Sequence, residues 1–213
     1  MKTIGVLGGT FDPVHFGHLR LALEIRDQLS LSNVFMMPAA TPPLRDKPHA
    51  SAPVRVQMLE MAIADEKGLY CDDRELRRKG KSFTVDTLKS LREEFPQDSI
   101  CLILGMDAFA RLEQWNRWRE LFELAHICVA KRPGVRQAFE GELNKIVKQR
   151  QIDDVSALCE STAGNVCIRD IPALDVSATR IRELVASGRN PRFLLPDAVL
   201  NIINQRGLYR DAQ

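Results

Sequence analysis

The N-terminal segment of the chain constrains its fold more than any other stretch. A short apolar run, residues 3–7, leads into Gly-Gly-Thr-Phe-Asp-Pro-Val-His-Phe-Gly-His at positions 8–18, and a segment with helical spacing of apolar residues continues to Leu29. This pattern is typical of a buried strand, a glycine-rich turn and a helix. Adjacent glycines let the backbone approach a ligand, and the N–H groups of a helix start attract phosphate. The stretch therefore predicts a phosphate-binding turn.

Two histidines of this turn, His15 and His18, are spaced so that both side chains reach one volume above the helix start. The same spacing occurs in metal pairs and in capping arrangements. A metal site needs more ligands, however, and the chain has only two other histidines, His49 and His126, and no cysteine cluster. We therefore predict phosphate ligands and no metal site.

The rest of the chain alternates between apolar runs and amphipathic segments. A helix over about 17–29 followed by a strand at 33–38 predicts a right-handed β-α-β unit, and further strands are expected near 70–72, 99–104, 125–130 and 166–168. Helices are expected over about 54–65, 84–95, 177–187 and 196–204, with Ser82 or Thr84 as a cap of the second. We predict a Rossmann-like α/β fold, an open parallel sheet with helices on both faces.

One domain is expected over residues 1–213, because this length suits one large α/β domain. Its core comprises 1–134 and 166–213. The weakly periodic stretch of about 135–165 predicts a peripheral excursion with one amphipathic helix.

Composition limits the partners and the location. A formal charge of +2 gives no reason to expect a nucleic-acid or membrane surface, so a small charged substrate fits better. Five single cysteines, mostly within apolar runs, are expected to be reduced core residues. No apolar run approaches the ~20 residues that span a bilayer, and no signal peptide is visible, so we expect a cytoplasmic protein. The sequence is compatible with a homo-oligomer as well as with a monomer.

A second helix start also carries groups that suit phosphate. Residues 176–182 read Val-Ser-Ala-Thr-Arg-Ile-Arg, so hydroxyl and basic side chains occupy one first turn. Taken alone, Ser177 and Thr179 would be interpreted as helix caps, worth ~1 kcal/mol of stability. Arg180 and Arg182 add the positive charge that an anion site needs, although both need not face the ligand.

The motif GGTFDPxHxGH resembles the phosphate-binding signature of the nucleotidyltransferase superfamily, whose (H/T)xGH element also occurs in class I aminoacyl-tRNA synthetases. Similar motifs recur along the chain: SFTVDTL at 82–88, GMD at 105–107, the Trp115 segment, RPG at 132–134, VSATRIR at 176–182 and LPDAVLNIINQRGLY at 195–209. The set resembles the bacterial nicotinate-nucleotide adenylyltransferases.

The resemblance implies transfer of AMP from ATP to nicotinate mononucleotide, which gives deamido-NAD and pyrophosphate. The substrate phosphate attacks the α-phosphorus directly, so the enzyme has to align two anions and neutralise the leaving pyrophosphate. His18 is then expected to donate to the ATP phosphates and to stabilise the transition state, and His15 to contribute charge and placement. The implied ATP-binding residues are Gly8, Gly9, Thr10, Phe11, Ser177, Thr179, Arg182 and Arg132, the last with a surface turn as the alternative.

The resemblance also implies a site for the attacking nucleotide. Asp107 would hold ribose hydroxyls, although it could simply cap a helix. Trp115 would stack on the pyridine ring, with a core position as the alternative, and Trp118 is interpreted as structural. The main chain of Thr84 would meet the nicotinate carboxylate, and Arg45 is a phosphate candidate.

Two positions depart from the family pattern. Leu44 stands where PPHK or PPHR supplies a histidine, and Asn116 stands where an aromatic residue is frequent. Magnesium is implied by the ATP chemistry and would be held mainly by the phosphates and water, since no acidic cluster is visible.

Three alternatives stay open. Phosphopantetheine adenylyltransferase is a neighbouring family, but it usually has threonine in the place of His15 and a shorter chain. Nicotinamide mononucleotide differs from nicotinate mononucleotide at one atom, and backbone donors that read this atom leave no side-chain signature. The third is a nucleotide-binding regulatory module without turnover.

Overall fold

The computed structural model describes residues 1–40, 47–78, 80–131, 139–172 and 174–210. In these ranges the strands form one parallel seven-stranded sheet in the order β3-β2-β1-β4-β5-β7-β6. Their bounds are β1 Thr3–Gly9, β2 Asn33–Pro38, β3 Leu69–Cys71, β4 Ser99–Gly105, β5 His126–Lys131, β6 Gln151–Ile152 and β7 Val166–Asp170. The predicted Rossmann-like α/β fold is confirmed.

Helices connect the strands. They are α1 Phe16–Gln28, α2 Ala52–Ile63, α3 Arg74–Arg77, α4 Thr84–Glu94, α5 Met106–Phe109, α6 Leu121–Leu124, α7 Gly141–Arg150, α8 Ala178–Ala186 and α9 Asp197–Arg206. Short 3-10 turns lie at Leu112–Gln114, Trp118–Glu120 and Val155–Cys159.

Two apolar layers bury both faces of the sheet, and β4 shows how. Cys101 and Ile103 face a layer that includes buried residues of α1, α2, α8 and α9, whereas Ile100, Leu102 and Leu104 face a layer built with α4, α5, α6 and α7. Alternate side chains of a strand point to opposite faces, so a strand covered on both sides reads as a continuous apolar run. Helices therefore lie on both faces, as expected.

Strand β1 lies at the point where the strand order of the sheet reverses. This strand pairs in parallel with β2 on one side and with β4 on the other, from Thr3↔Ser99 to Val6↔Leu102 on the β4 side. After β2 the chain continues to β3 at one edge of the sheet, and after β4 it continues to β5 in the other half. In open parallel sheets ligands bind at such a switch point, beyond the carboxyl ends of the strands. The turn after β1 and the turn after β4 both lie there.

Some local predictions were wrong. The residue before α4 is Phe83, with no side-chain cap, and the Ser82 hydroxyl instead accepts from the Ala40 N–H at 2.9 Å. The two tryptophans, Trp115 and Trp118, have helical spacing, but the chain forms 3-10 turns before and after Trp115 instead of a continuous helix. Cys159 is exposed, whereas Cys101, Cys128 and Cys167 are buried thiols as expected.

The stretch predicted as an excursion contains the expected helix, α7, with Leu143 and Val147 buried. It also contains β6, which the sequence analysis missed, and which pairs with β7 at the sheet edge. A strand of two residues is too short to leave a periodic signal. The proposed domain bounds stay a prediction. None of the described helices has the length and hydropathy that crossing a membrane requires.

Candidate active site

The turn between β1 and α1 has the close backbone packing that its glycines predicted. Gly8 is exposed at the end of β1. A Cβ on Gly9 would lie 2.8 Å from two ring carbons of Phe11, so only glycine fits there. Phe11 is itself buried, with a φ of 49°, so its side chain supports the turn from below. Of the two glycines, Gly8 leaves open space for a ligand: no atom lies within 4 Å of a Cβ placed there.

His15 and His18 form a stacked pair above the start of α1. Their ring centroids are 3.7 Å apart with an interplanar angle of 27°, and the Phe11 ring meets His18 edge-on at 5.0 Å. His15 is 5% exposed, and burial lowers its pKa from 6.5 to about 4. Burial therefore favours a neutral His15 ring in the free protein, whereas the sequence analysis expected this residue to contribute charge.

The buried histidines predict a fold that loses stability in acid. The His126 ring accepts from the Asn165 N–H through Nδ1 at 3.0 Å and lies 3.0 Å from the Ser161 carbonyl through Nε2, and burial lowers its pKa as well. As the pH falls below about 6.5 the unfolded chain binds protons that the folded chain excludes, so the free energy of unfolding falls towards about pH 4.

Denaturant titrations between neutral pH and about pH 5 measure this loss. His15→Gln removes one of the two buried histidines, so its free energy of unfolding should fall less steeply with pH than that of the wild type. Equal slopes would contradict the assignment of a lowered pKa to His15.

Gly17 brings the second phosphate element to the first. A Cβ on this residue would lie 3.0 Å from the ring of His15 and 3.3 Å from the carbonyl oxygen of Val176, which directly precedes the start of α8. Helix α1 and the segment before α8 are thus in backbone contact at Gly17. The glycine of the HxGH element is required by this close approach.

The start of α8 lies against the first turn. Ser177 caps the helix by accepting from the Arg180 N–H at 3.2 Å. Arg182 donates to the main-chain oxygen of Asp12 at 2.8 Å and to the Thr179 hydroxyl at 3.3 Å. Arg180 is exposed and pairs with Glu183. Of the two arginines, Arg182 is therefore the one that reaches the phosphate turn.

A set of polar contacts around Asp12 fixes the turn from behind. Its buried carboxylate accepts from the His49 N–H at 2.7 Å, the Ala50 N–H at 3.1 Å and the Tyr209 hydroxyl at 2.7 Å. Arg55 is 1% exposed and donates to the Thr10 carbonyl at 2.7 Å. Burial lowers the pKa of Arg55, and the negative charge of Asp12 opposes this effect.

The other side of the crevice carries the residues expected to bind the attacking nucleotide. Asp107 is exposed in α5, directly after Gly105 at the end of β4. Trp115 is half-buried, whereas Trp118 is buried and packs edge-on against Phe122. Thr84 is the first residue of α4. Both tryptophans and α4 pack on the sheet face opposite α1 and α8.

Comparisons with known proteins agree with this geometry. The family described as cytidylyltransferase-like matches residues 6–184. A protein of Methylococcus capsulatus named probable nicotinate-nucleotide adenylyltransferase is 44% identical over 207 residues, which cover 97% of this chain and 99% of that protein. A protein of the same name from Pseudomonas fluorescens is 46% identical over 98% of both chains. The chain belongs to the nicotinate-nucleotide adenylyltransferase family.

A solved structure supports the fold of this adenylyltransferase. Nicotinic acid mononucleotide adenylyltransferase of Plasmodium falciparum, complexed with NaAD, superposes with a TM-score of 0.75 over 98% of each chain at 16% identity. At that identity the likeness concerns the fold alone.

Three predicted positions of the adenylyltransferase site lie outside the described residues: Leu44, Arg45 and Arg132. The roles of Arg45 and Arg132 stay predictions. Sequence analysis assigned no role to three residues that the structure places at the turn after β1: Asp12, Arg55 and Tyr209. Asp12 and Tyr209 lie inside two of the recognised motifs, but these motifs are distant in sequence, and no local pattern shows that the two side chains meet.

The donor set of the adenylyltransferase site suits anions better than a resident metal. In the part of the chain that the structure describes, no group of three or more His, Cys, Asp or Glu side chains could hold a metal ion. The phosphate turn instead presents glycine backbone, two imidazoles and Arg182.

Proposed function

We propose that this adenylyltransferase works by direct attack of a phosphate oxygen of nicotinate mononucleotide on the α-phosphorus of ATP. One P–O bond forms to the attacking oxygen, the bond to the β-phosphate bridging oxygen breaks, and pyrophosphate leaves with that electron pair. The products are deamido-NAD and pyrophosphate. No protein nucleophile takes part, so catalysis rests on placement and on stabilisation of negative charge.

The ATP phosphates would lie between the turn after β1 and the start of α8. The observation that carries this proposal is the joining of these two elements, by the Arg182–Asp12 hydrogen bond of 2.8 Å and by the close approach at Gly17. Glycine N–H groups, the His18 ring and the Arg182 guanidinium are the donors that would meet the phosphates there. Donors of this kind act on charge that develops as pyrophosphate leaves.

The two histidines would have different roles. His18 donates to the phosphates. This interaction is strongest in the transition state, because the negative charge on the leaving group increases there. His15 is neutral in the free protein and stacks on His18 at 3.7 Å, so it holds the ring of its neighbour in place.

The attacking nucleotide would lie across the crevice. Asp107 is exposed beyond β4 and can accept from ribose hydroxyls. The half-buried Trp115 offers a ring for stacking, and the main chain at Thr84 can meet the nicotinate carboxylate.

Magnesium would enter with the substrate as MgATP. Phosphates and water can satisfy this ion, which keeps several waters in proteins, and the donor set of the turn supplies positive charge without it. Because both substrates are charged nucleotides, we also propose that the enzyme acts in the cytoplasm.

A pyrophosphate-release assay with MgATP tests the proposal. Nicotinate mononucleotide should support turnover, nicotinamide mononucleotide should be slower, and phosphopantetheine should give none. Absence of turnover with all three would contradict the enzyme proposal and favour a regulatory module. Faster turnover with nicotinamide mononucleotide would overturn the substrate assignment alone.

Trp115→Ala should raise the KM for nicotinate mononucleotide by about tenfold or more and leave the KM for ATP within about twofold, because loss of base stacking costs ~1–3 kcal/mol. Steady-state kinetics with each substrate varied measures both constants. An unchanged KM for nicotinate mononucleotide would contradict stacking on Trp115.

The matched control is Trp118→Phe, since the chain has two tryptophans and this one is buried. It should lower the Tm and leave both KM values unchanged. The same variant makes Trp115 the sole tryptophan, so quenching of its fluorescence by nicotinate mononucleotide reports binding directly.

A further inference from the structure

Tyr209, which follows helix α9, contacts the turn after β1 with its side chain. The hydroxyl of Tyr209 donates to Oδ1 of Asp12 at 2.7 Å. This Oδ1 also accepts from the Ala50 N–H, and the other carboxylate oxygen accepts from the His49 N–H. Asp12 is 4% exposed, so water has little access to its carboxylate. Removal of one donor therefore costs free energy, because water does not fully replace it.

Asp12 joins the turn after β1 to helix α8 and to the C-terminal segment. Its main-chain oxygen accepts from Arg182, the proposed phosphate ligand of α8. Arg55, whose positive charge interacts with the negative charge of the Asp12 carboxylate, donates to the Thr10 carbonyl of the same turn. A shift of Asp12 would therefore move both the turn and the arginine that faces the phosphates.

Tyr209 is held firmly where it makes this contact. Helix α9 ends at Gly207 with a φ of 61°, and the Leu208 N–H returns to the Ile203 carbonyl at 3.0 Å. Arg206 ties α9 to Gln57 of α2 at 2.9 Å. Burial and the Asp12 carboxylate raise the pKa of Tyr209, so its hydroxyl keeps its proton and donates throughout the working pH range.

We infer that Tyr209 is a positioning residue for ATP, which acts through Asp12 on the phosphate turn and on Arg182. Tyr209 lies outside the region that matches the cytidylyltransferase-like family, because that match ends at residue 184, before α9, whereas Asp12 lies inside it. The C-terminal helix thus adds a support that the matched region does not contain. The inference rests on the proposed placement of ATP at this turn.

Tyr209→Phe keeps the ring and removes the donor. It should weaken binding of a non-hydrolysable ATP analogue by ~5–10-fold, the size expected for one hydrogen bond to a charged group that is only partly relayed to the ligand. Binding of nicotinate mononucleotide should stay within about twofold, since Trp115 and the helices α4 and α5, which carry Thr84 and Asp107, pack on the opposite face of the sheet. Isothermal titration calorimetry with each ligand alone measures both affinities.

Tyr70→Phe is the matched control, because Tyr70 is the other tyrosine of the chain and is exposed on β3. It should change neither affinity. Equal loss of both affinities in Tyr209→Phe, or a lowered Tm with both affinities unchanged, would overturn the inference and leave a purely structural role. The calorimetric test needs no turnover. Lack of activity in the wild type would therefore contradict the proposed function separately from this result.

Discussion

His18→Ala should lower kcat by ~10²-fold or more and leave the fold intact, because removal of one donor to a developing negative charge has this cost. The ring lies at the start of α1, stacked on His15 and in edge contact with Phe11, and its loss leaves the hydrogen bonds that Asp12 and Arg55 make in the turn. A donor that acts mainly in the transition state affects kcat more than KM. Steady-state kinetics with MgATP varied separates the two constants.

Two controls accompany this variant. The Tm of His18→Ala should remain close to that of the wild type, and His18→Asn, which keeps a side-chain N–H, should recover part of the lost rate. Turnover near the wild-type value in His18→Ala would show that the histidine has been assigned wrongly. A large fall in Tm would instead place the side chain among the structural supports of the turn.

Gly17→Ala should reduce kcat/KM for ATP by ~10²-fold, because a small misplacement of reacting groups has an effect of this size. The added methyl would lie 3.0 Å from the His15 ring and 3.3 Å from the Val176 carbonyl oxygen. The side chain can rotate, but the backbone oxygen can move only with the start of α8. The two phosphate elements would therefore separate. Kinetics with each substrate varied should show the loss for ATP and little change in the KM for nicotinate mononucleotide.

Gly8→Ala is the comparison for this variant. A Cβ on Gly8 would meet no protein atom within 4 Å, so the folded protein should tolerate it without loss of Tm. Gly17→Ala should lower the Tm, since overpacking costs ~1–3 kcal/mol. Normal ATP kinetics in Gly17→Ala would show that the approach of α1 to α8 has no bearing on the reaction.

The fold and the positions of the two helix starts could be predicted from the sequence because their signals are local, and their phosphate role stays a prediction. The strand at 33–38 was predicted with its observed bounds, since a strand buried on both faces is apolar throughout. The turn at 8–18 and the hydroxyl and basic residues at 177–182 are continuous motifs. Arg182 could be preferred over Arg180 from the family pattern, and the contact with Asp12 agrees with that preference.

The support of the turn could not be predicted in the same way. Tyr209 and Asp12 are 197 residues apart, so no periodicity connects them. The lowered pKa of His15 depends on burial, which a motif does not state. The strand β6 exists because it pairs with β7, and its two residues carry no strand pattern of their own. Each of these features arises from tertiary packing.

The hydrogen bond between Tyr209 and Asp12 also orders the events of biosynthesis. Chains fold from the N-terminus as they are made, so β1 and its turn emerge first, whereas α9 and Tyr209 emerge after every strand of the sheet. The turn near the start of the chain acquires its last hydrogen-bond donor from the end of it. A nascent chain that has formed its whole sheet therefore still has an unfinished phosphate site until α9 docks.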